Sequence, residues 1–530
     1  MNHALPHEIL VVGAGMVAHR FVESLLSRGG TDVRVTVVGD EDRAPYDRAG
    51  LTGLFSGATA DDLILDPSVF EHERVQLIPN DRVLRIDRSA RTVTTRSRRT
   101  LDYDTLILAT GSYAARAAVD GASLPGCFVY RNWDDAESLQ EFVQWRSQTL
   151  GRPLRGAVIG GGWMGLEAAD ALQRMAVDTM VVQDGDRLMS AQLDATAGGM
   201  LAELLAARGI AVRTDSRVAR LDPDDSGAVT AMDFDDGAFR RVDVVVFAMG
   251  VRPRDELARN AGLDIHPGGG VIIDERCATS DPRILAIGEV ANFRERCVGL
   301  LAPGHAMAEV VATRMLGGDA SFSGHDQSVH LTLSGVEVAS FGDALARTPH
   351  AIDVVYTEHD TGVYRKLVLS DDAQTLLGGI LMGDASAYGT LRPLVGARLG
   401  ADPSCYLEAI GTSPERDVMS EMYDGTALLL ARMPGGDVTP DGLIAVGRIA
   451  QEFAVRTKIV AAQGIGMVGV RREQFPLIRA RLLEAGFVSE RSPLSSPDGL
   501  AEHGPLRPAI VKEGDAGSAP IAGRVRQASR

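Results

Sequence analysis

Two glycine-rich turns carry the chemistry most readily read from this chain. Gly13-Ala14-Gly15-Met16-Val17-Ala18 follows the apolar stretch Glu8 to Val12 and opens an apolar-periodic helix through Leu26. Gly160-Gly161-Gly162-Trp163-Met164-Gly165 follows a second apolar stretch and opens a helix through Met175. Glycine has no Cβ, so the backbone at such a turn can approach a pyrophosphate held by N–H groups at the helix N-terminus. Asp40 stands 27 residues after Gly13, behind a strand at Val33 to Val38, where a carboxylate can accept ribose hydroxyls. One such turn, with Ala18 in the third small position, is weak evidence and fits a bare strand–turn–helix joint equally well. Its recurrence at Gly160, Gly162 and Gly165 with flanking strands points to two nucleotide sites.

The elements that must position these turns alternate as an α/β protein. Tyr103 to Gly111 reads as a buried strand ending in a tight turn, Val242 to Met249 as another leading into Gly250-Val251-Arg252-Pro253, and Ile284 to Ala291 as a third. Five strands are expected at His330 to Leu333, Val336 to Phe341, Ile352 to Tyr356, Tyr364 to Ser370 and Leu376 to Met382. Residues 411–424 read as a linker. A small unit follows, with a strand at Ala427 to Ala431. Its first helix has Thr439 as N-cap and Leu443, Val446, Ile449 and Phe453 on one stripe. Strands at Lys458 to Ala461 and Gly466 to Val470 and a helix at Phe475 to Leu483 complete it. From Ser489 the composition shifts to Pro, Ser, Gly and charge, and a disordered tail is expected.

Composition narrows the class. The 530 residues are 45% hydrophobic and 24% charged, as in globular protein, with a net charge of −17 that argues against nucleic-acid or anionic-membrane partners. No apolar run is long enough to span a bilayer, and no secretory signal precedes the first strand, so the cytoplasm is the default location. Cys127, Cys277, Cys297 and Cys405 are scattered, which excludes a disulfide framework, a zinc ribbon and an all-cysteine iron–sulfur cluster. His325 and His330 read as ordinary loop histidines, and no metal site is expected.

The order GAGMVA, ATG, GGGWMGLE, MGVRP and AIGEVA resembles the two-dinucleotide-domain flavoprotein reductases. PYDRAGLTGLFSG, RPRDELARNAGLD, GLLAPGHAMAEV and LLGGILMGDASAYGTL are similar to the large subunit of assimilatory NAD(P)H nitrite reductase, over roughly residues 6–400. PGGDVTPDGLIAVGRIAQEFAVRTKI resembles the ferredoxin-like half-domain of nitrite and sulfite reductases. The resemblance implies a discontinuous Rossmann-like FAD domain (1–120 and 241–325), an NAD(P) domain (121–240) and an α+β interface domain (326–410). It also implies a linker (411–424), a half ferredoxin-like unit (425–488) and a tail (489–530). The interface domain admits a homodimer.

By the same resemblance Gly13, Gly15 and Ala18 would meet the FAD pyrophosphate, Asp40 its ribose, Arg48 its length and Glu289 its ribityl chain. Gly111 would close the ATG turn, Gly250 would join the cofactor-binding set, and His305 would either approach the flavin ring or simply start a helix. Gly160, Gly162, Gly165 and Gln183 would hold NADH or NADPH. Gln183 replaces a carboxylate that would repel a 2′-phosphate; Arg187 could reach such a phosphate and Asp184 opposes it, so both nucleotides stay open. Trp163 would be a mobile lid over the flavin or a packing residue. Glu167 would face the nicotinamide, or be plain helix surface, because Gly53 replaces the Lys with which related ferredoxin reductases pair it. No cysteine lies near Thr52, so disulfide reduction is not expected.

The departures set the expected activity. A short cysteine-free linker stands in place of the family's 2Fe–2S module, and a cysteine-free tail in place of its sirohaem module. Gly464 replaces the Arg that follows Gln463 in the family motif. The expectation is an FAD-dependent NAD(P)H oxidoreductase that cannot by itself reduce nitrite and instead passes electrons to an external acceptor. That acceptor would be a redox protein, a small molecule or dioxygen. The rival readings are a stand-alone reductase or oxidase of a small metabolite, and a scaffold with structural FAD.

Overall fold

The computed structural model describes residues 6–400 apart from 30, 31, 117, 298, 325–327 and 360. Beyond them it describes chiefly 419–421, 426–432, 440–460, 464–471 and 509–511. Residues 1–400 with 510–530 form one compact unit and 401–509 a second.

A parallel sheet in the order Ile284–Ala286, Thr105–Leu108, His7–Val12, Val33–Val38, Val75–Ile78 forms the first layer. Its strands are nearly continuous in Val, Ile and Leu, as burial on both faces requires. Val12 is level with Val38 and with Leu108, and Ala286 is level with Leu108, so the strands end together. Gly13, Asp40, Gly111 and Glu289 therefore all leave the sheet at its carboxyl edge, where open α/β sheets bind ligands. The helix Met16–Ser27 buries Ala18, Phe21, Val22 and Leu25 beneath that edge.

The second parallel sheet runs Ala211–Arg213, Asp178–Val182, Arg155–Ile159, Val244–Phe247, Cys127–Val129. Ile159 is level with Val182 and Phe247, which brings Gly160 and Gln183 to one edge. This corrects the boundary expected at residue 241. Val244–Phe247 is fully buried beside Arg155–Ile159 and belongs to the second sheet. The chain returns to the first unit only through Val251–Pro253, which pairs antiparallel with Ser112–Ala114.

A third, antiparallel sheet has the order Val329–Leu333, Val336–Gly342, Leu376–Met382, Val363–Leu369, Ile352–Glu358, matching the five strands read from alternation. Ala509–Val511, within the segment read as a tail, is a short strand at its edge. The sheet is fastened to the domain of the second parallel sheet through Asp194. One carboxylate oxygen of Asp194 caps the helix Ala195–Ala207 at Ala197 N, 3.0 Å. The other accepts from Tyr364 Oη at 2.7 Å and lies 3.3 Å from Lys366 Nζ, which also pairs with Asp353 at 2.7 Å. Tyr388 packs against His330 and Phe341 at ring distances of 4.9 and 6.0 Å.

The second unit holds an antiparallel sheet ordered Met419–Glu421, Thr426–Arg432, Gly464–Arg471, Arg456–Val460, with the helix Pro440–Glu452. Met419–Glu421 lies inside the segment read as a linker and pairs with Thr426–Arg432. Val446 and Ile449 are buried, but Leu443 is exposed together with Ile444, because the helix buries only the turns after its first. Ile478 and Leu482 are helical and buried, and Thr439 lies outside the described residues. Among the described residues no helix is long and apolar enough to cross a membrane.

Asp194→Ala should destabilise residues 1–400 by about 1.5–3 kcal/mol, the worth of hydrogen bonds to a charged group. Asp353 still neutralises the buried Lys366 ammonium, which keeps the loss below that of a fully broken buried ion pair. Asp194→Asn preserves a capping oxygen and should lose less. Urea unfolding midpoints of the two variants check the order.

Candidate functional site

The two glycine turns have the same construction. Gly13 has φ +111°, and a Cβ there would lie 2.2 Å from the Ala109 carbonyl oxygen; Gly160 has φ +116°, with a Cβ 2.3 Å from the Ala248 oxygen. No side chain fits either position. Gly15 and Gly162 differ: a Cβ on either would meet nothing within 4 Å, so both face open space at the start of their helices. That space is where a pyrophosphate would approach the N–H groups.

The first turn opens into a cleft of about 1400 Å³, including the solvent at its mouth. Gly15, Asp40, Arg48, Gly111 and Glu289 line it from the domain of the first sheet, and Trp163, Met164 and Glu167 line it from the helix of the second glycine turn. A smaller cavity of about 460 Å³ shares Gly13, Asp40, Thr110 and Arg254 with the cleft and is walled by Asp81, Arg82 and Val83. Together they form an elongated depression along the carboxyl edge of the first sheet.

Arg43, Arg48, Arg131 and Arg254 line the cleft, and Arg43 is paired with Asp134 at 2.9 Å and Glu137 at 3.3 Å. Arg48 pairs with Glu41, which also accepts from Tyr46 Oη at 2.7 Å. Arg131 pairs with Glu289 and donates to Ser112 Oγ at 3.1 Å, and Ser112 Oγ donates to Glu289 Oε2 at 2.8 Å. Arg254 lies 3.6 Å from Asp40. Burial depresses the Arg131 pKa; Glu289 opposes that, and the charges of Arg48 and Arg254 add to it. The Nε atoms of Arg131 and Arg254 are buried without a partner. Clustered cations with unsatisfied donors beside a helix N-terminus fit an anionic dinucleotide such as FAD.

Trp163 is the first residue of the helix Trp163–Arg174, and Glu167 follows one turn later, so both face the cleft. Among the described residues no hydrogen bond or ion pair holds the Glu167 carboxyl. Burial, reinforced by the Asp170 charge, raises its pKa to about 7. Nearby, Tyr130 Oη and Thr52 Oγ1 lie 3.1 Å apart, and burial raises the tyrosine pKa.

Several expected residues stand elsewhere. Ala18 and Gly165 lie beneath their turns; a Cβ on Gly165 would come 1.8 Å from the Gly160 oxygen. Gly250 forms a turn, φ +96°, whose carbonyl accepts from Ala115 N, and it does not line the cleft. His305 also points away from the cleft. Leu300 and Leu301 reach the cleft at the start of the helix Leu301–Met315. Gly304 packs on Val17, which turns the next residue toward Arg20, Glu23 and Glu309. There His305 Nε2 is buried without a partner, and burial and the Arg20 charge lower its pKa. Gln183 Oε1 accepts from Gly161 N at 2.7 Å. Arg131, Ser112 and Glu41 carried no motif signal in the sequence. Arg254 sits within the RPRDEL stretch and was passed over.

Residues 7–313 match the family described as pyridine nucleotide-disulphide oxidoreductase, and residues 328–398 match the rubredoxin NAD+ reductase C-terminal domain. The chain belongs to the pyridine nucleotide-disulphide oxidoreductase family and is an NAD(P)H oxidoreductase that binds FAD. Among the described residues no cysteine lines its cleft. The chain is 31% identical to the nitrite reductase (NADH) large subunit of Escherichia coli K12, over 90% of this chain and 73% of the relative. It is 38% identical to the nitrite reductase NAD(P)H large subunit of Klebsiella oxytoca, over 86% of this chain and 47% of the relative, so it spans about half of that protein. Among solved structures it is similar to the ferredoxin reductase for the CYP199A2 system of Rhodopseudomonas palustris, at 25% identity and a TM-score of 0.67, covering 76% of this chain and 100% of that one. It also shares its fold with NADH:rubredoxin oxidoreductase from Clostridium acetobutylicum, at a TM-score of 0.61 and 24% identity, covering 76% and 99%.

Gly162→Val should fold normally, since its φ of −76° and ψ of 176° suit valine and its Cβ meets no atom. It should retain flavin yet lose bleaching by NAD(P)H. Gly160→Val should not accumulate as folded protein. Absorbance of the purified variants before and after anaerobic addition of nicotinamide nucleotide checks both.

Proposed function

We propose that the chain takes reducing equivalents from NAD(P)H at FAD and passes them to an external redox protein carrying iron–sulfur or sirohaem, in nitrogen-oxide metabolism. The observation that supports this is the shared cleft: Trp163 and Glu167, from the helix of the second glycine turn, line the same cavity as Gly15 and Asp40. Hydride transfer requires the two nucleotides to meet at such a junction. FAD, when bound, supplies acceptance of a hydride and its release as electrons.

The chain's own residues supply the remainder. The turn at Gly13 and Gly15 admits the pyrophosphate, and Arg48, Arg131 and Arg254 balance its charge. Asp40 accepts from the adenosine ribose at the junction with the smaller cavity. Glu289, held by Ser112 and Arg131, orients the middle of the cofactor. Trp163 covers the cleft mouth and moves aside for the nicotinamide. Glu167 holds or releases a proton there, and its pKa near 7 suits general acid–base work at neutral pH. The nitrite reductase relatives and a 30% identical Bacillus subtilis relative named as an assimilatory nitrate reductase electron transfer subunit support the nitrogen-oxide setting.

Purified protein should be yellow, bleach with NADH or NADPH without oxygen, and recover its colour with ferricyanide. It should form no ammonia from nitrite. Colourless protein that takes up no FAD, or flavin that neither nucleotide bleaches, would remove the proposal.

Glu167 also predicts a pH effect on stability. Its pKa is raised from 4.5 to about 7, so the folded state binds the extra proton and the parent loses stability as pH rises through that window. Glu167→Gln should lack this loss, and the difference between the two thermal midpoints should grow between pH 5 and 7.5, in favour of Gln. Parallel pH curves for the two proteins would show that the carboxyl is ordinary.

A further inference from the structure

The nucleotide edge of the second sheet carries information that the sequence left open. Resting on the reading that the Gly160–Gly165 turn binds the nicotinamide nucleotide, we infer that this edge selects a dinucleotide without a 2′-phosphate, NADH over NADPH, and that Asp184 is a specificity-determining residue.

In a dinucleotide-binding βαβ unit the adenosine ribose lies at the end of the second strand, where a carboxylate favours free hydroxyls and a nearby Arg favours a 2′-phosphate. Here that strand is Asp178–Val182, followed by Gln183 and Asp184. The Gln183 amide is committed: its oxygen accepts from Gly161 N at 2.7 Å, so it shapes the glycine turn and brings no charge. The nearby guanidiniums are committed as well. Arg187 binds both Asp186 oxygens at 2.8 and 2.9 Å and donates from Nε to the Leu193 carbonyl at 3.0 Å. Arg213, level with Val182 on the adjacent strand, donates to Ser216 Oγ at 2.7 Å, pairs with Asp236 at 2.5 Å and lies 4.1 Å above the Phe234 ring. Arg217, exposed, follows Ser216, and its carbonyl accepts from Asp235 N at 3.1 Å.

Asp184 is exposed directly after Gln183 and makes no ion pair among the described residues. Asp215, also exposed, donates its N–H to the Gly185 carbonyl at 2.9 Å, which adds a second carboxylate to the same edge. A 2′-phosphate arriving there would meet negative charge and no uncommitted guanidinium on the turn itself. A ribose hydroxyl could instead be accepted by Asp184.

The test is calorimetric titration of the FAD-loaded chain with NAD+ and with NADP+ at low ionic strength, repeated in about 0.5 M salt. NAD+ should bind at least about tenfold more tightly, as expected for one unscreened like-charge contact near the surface. The ratio should shrink in high salt, because screening acts within a few ångströms there. Asp184→Asn, an exposed change that leaves the fold alone, should raise NADP+ affinity several-fold and narrow the NAD+ to NADP+ ratio by at least that much. Equal or tighter NADP+ binding by the parent overturns the inference. So does a ratio that ignores both salt and Asp184→Asn, which would point to shape rather than charge. Binding of neither nucleotide overturns the underlying reading of the glycine turn, and the inference with it.

Discussion

The carbonyl oxygens of Ala109 and Ala248 occupy the space that a side chain on Gly13 or Gly160 would need. Much of the site depends on these two close approaches. Each lets its sheet strand turn at once into a helix, and each aims the helix N-terminus along the carboxyl edge. The positions two residues on, Gly15 and Gly162, then look into empty space, ready for phosphate. Even a methyl group at either carbonyl would push the helix off its sheet, and the anion-binding end would lose its aim.

Charge follows from the same geometry. A carboxyl edge that gathers two nucleotides must gather cations, yet the chain as a whole is strongly acidic. The resolution is local. Arg48, Arg131 and Arg254 are drawn into the cleft and each is partly neutralised by one carboxylate, Glu41, Glu289 or Asp40. Buried Nε donors left over on two of them leave a deficit that an anionic cofactor satisfies. At the far edge of the second sheet the balance reverses, with acids outnumbering free bases. The cleft thus favours phosphate where the FAD pyrophosphate would lie, whereas the edge beyond Val182, outside that cleft, exposes Asp184, Asp186 and Asp215.

The legible parts of the sequence were those dictated by backbone geometry. Glycine turns, strand alternation in the third sheet and Asp40 follow from local pattern, while the cleft positions of Arg48, Gly111 and Glu289 rest on the family resemblance. Arg131 and Ser112 were not legible, because their roles arise from a meeting across 158 and 177 residues with Glu289. The boundary at 241 failed because the apolar run after it suits the centre of either parallel sheet, and nothing local says which. His305 was placed by its neighbours in sequence; helical rotation after Leu301 turned it toward another helix. Leu443 was read onto a stripe that the fold buries only in part. Met419–Glu421 was hidden by its polar, turn-like surroundings.

The return strand Val251–Pro253 and its partner Ser112–Ala114 have a mechanical consequence. They form a narrow two-stranded ribbon, and it marks the chain's passage between the two nucleotide units. The third sheet is bolted to the domain of the second parallel sheet through Asp194, Tyr364 and Lys366. The angle between the two nucleotide sheets is therefore set across this ribbon, while the third sheet is tied to the second.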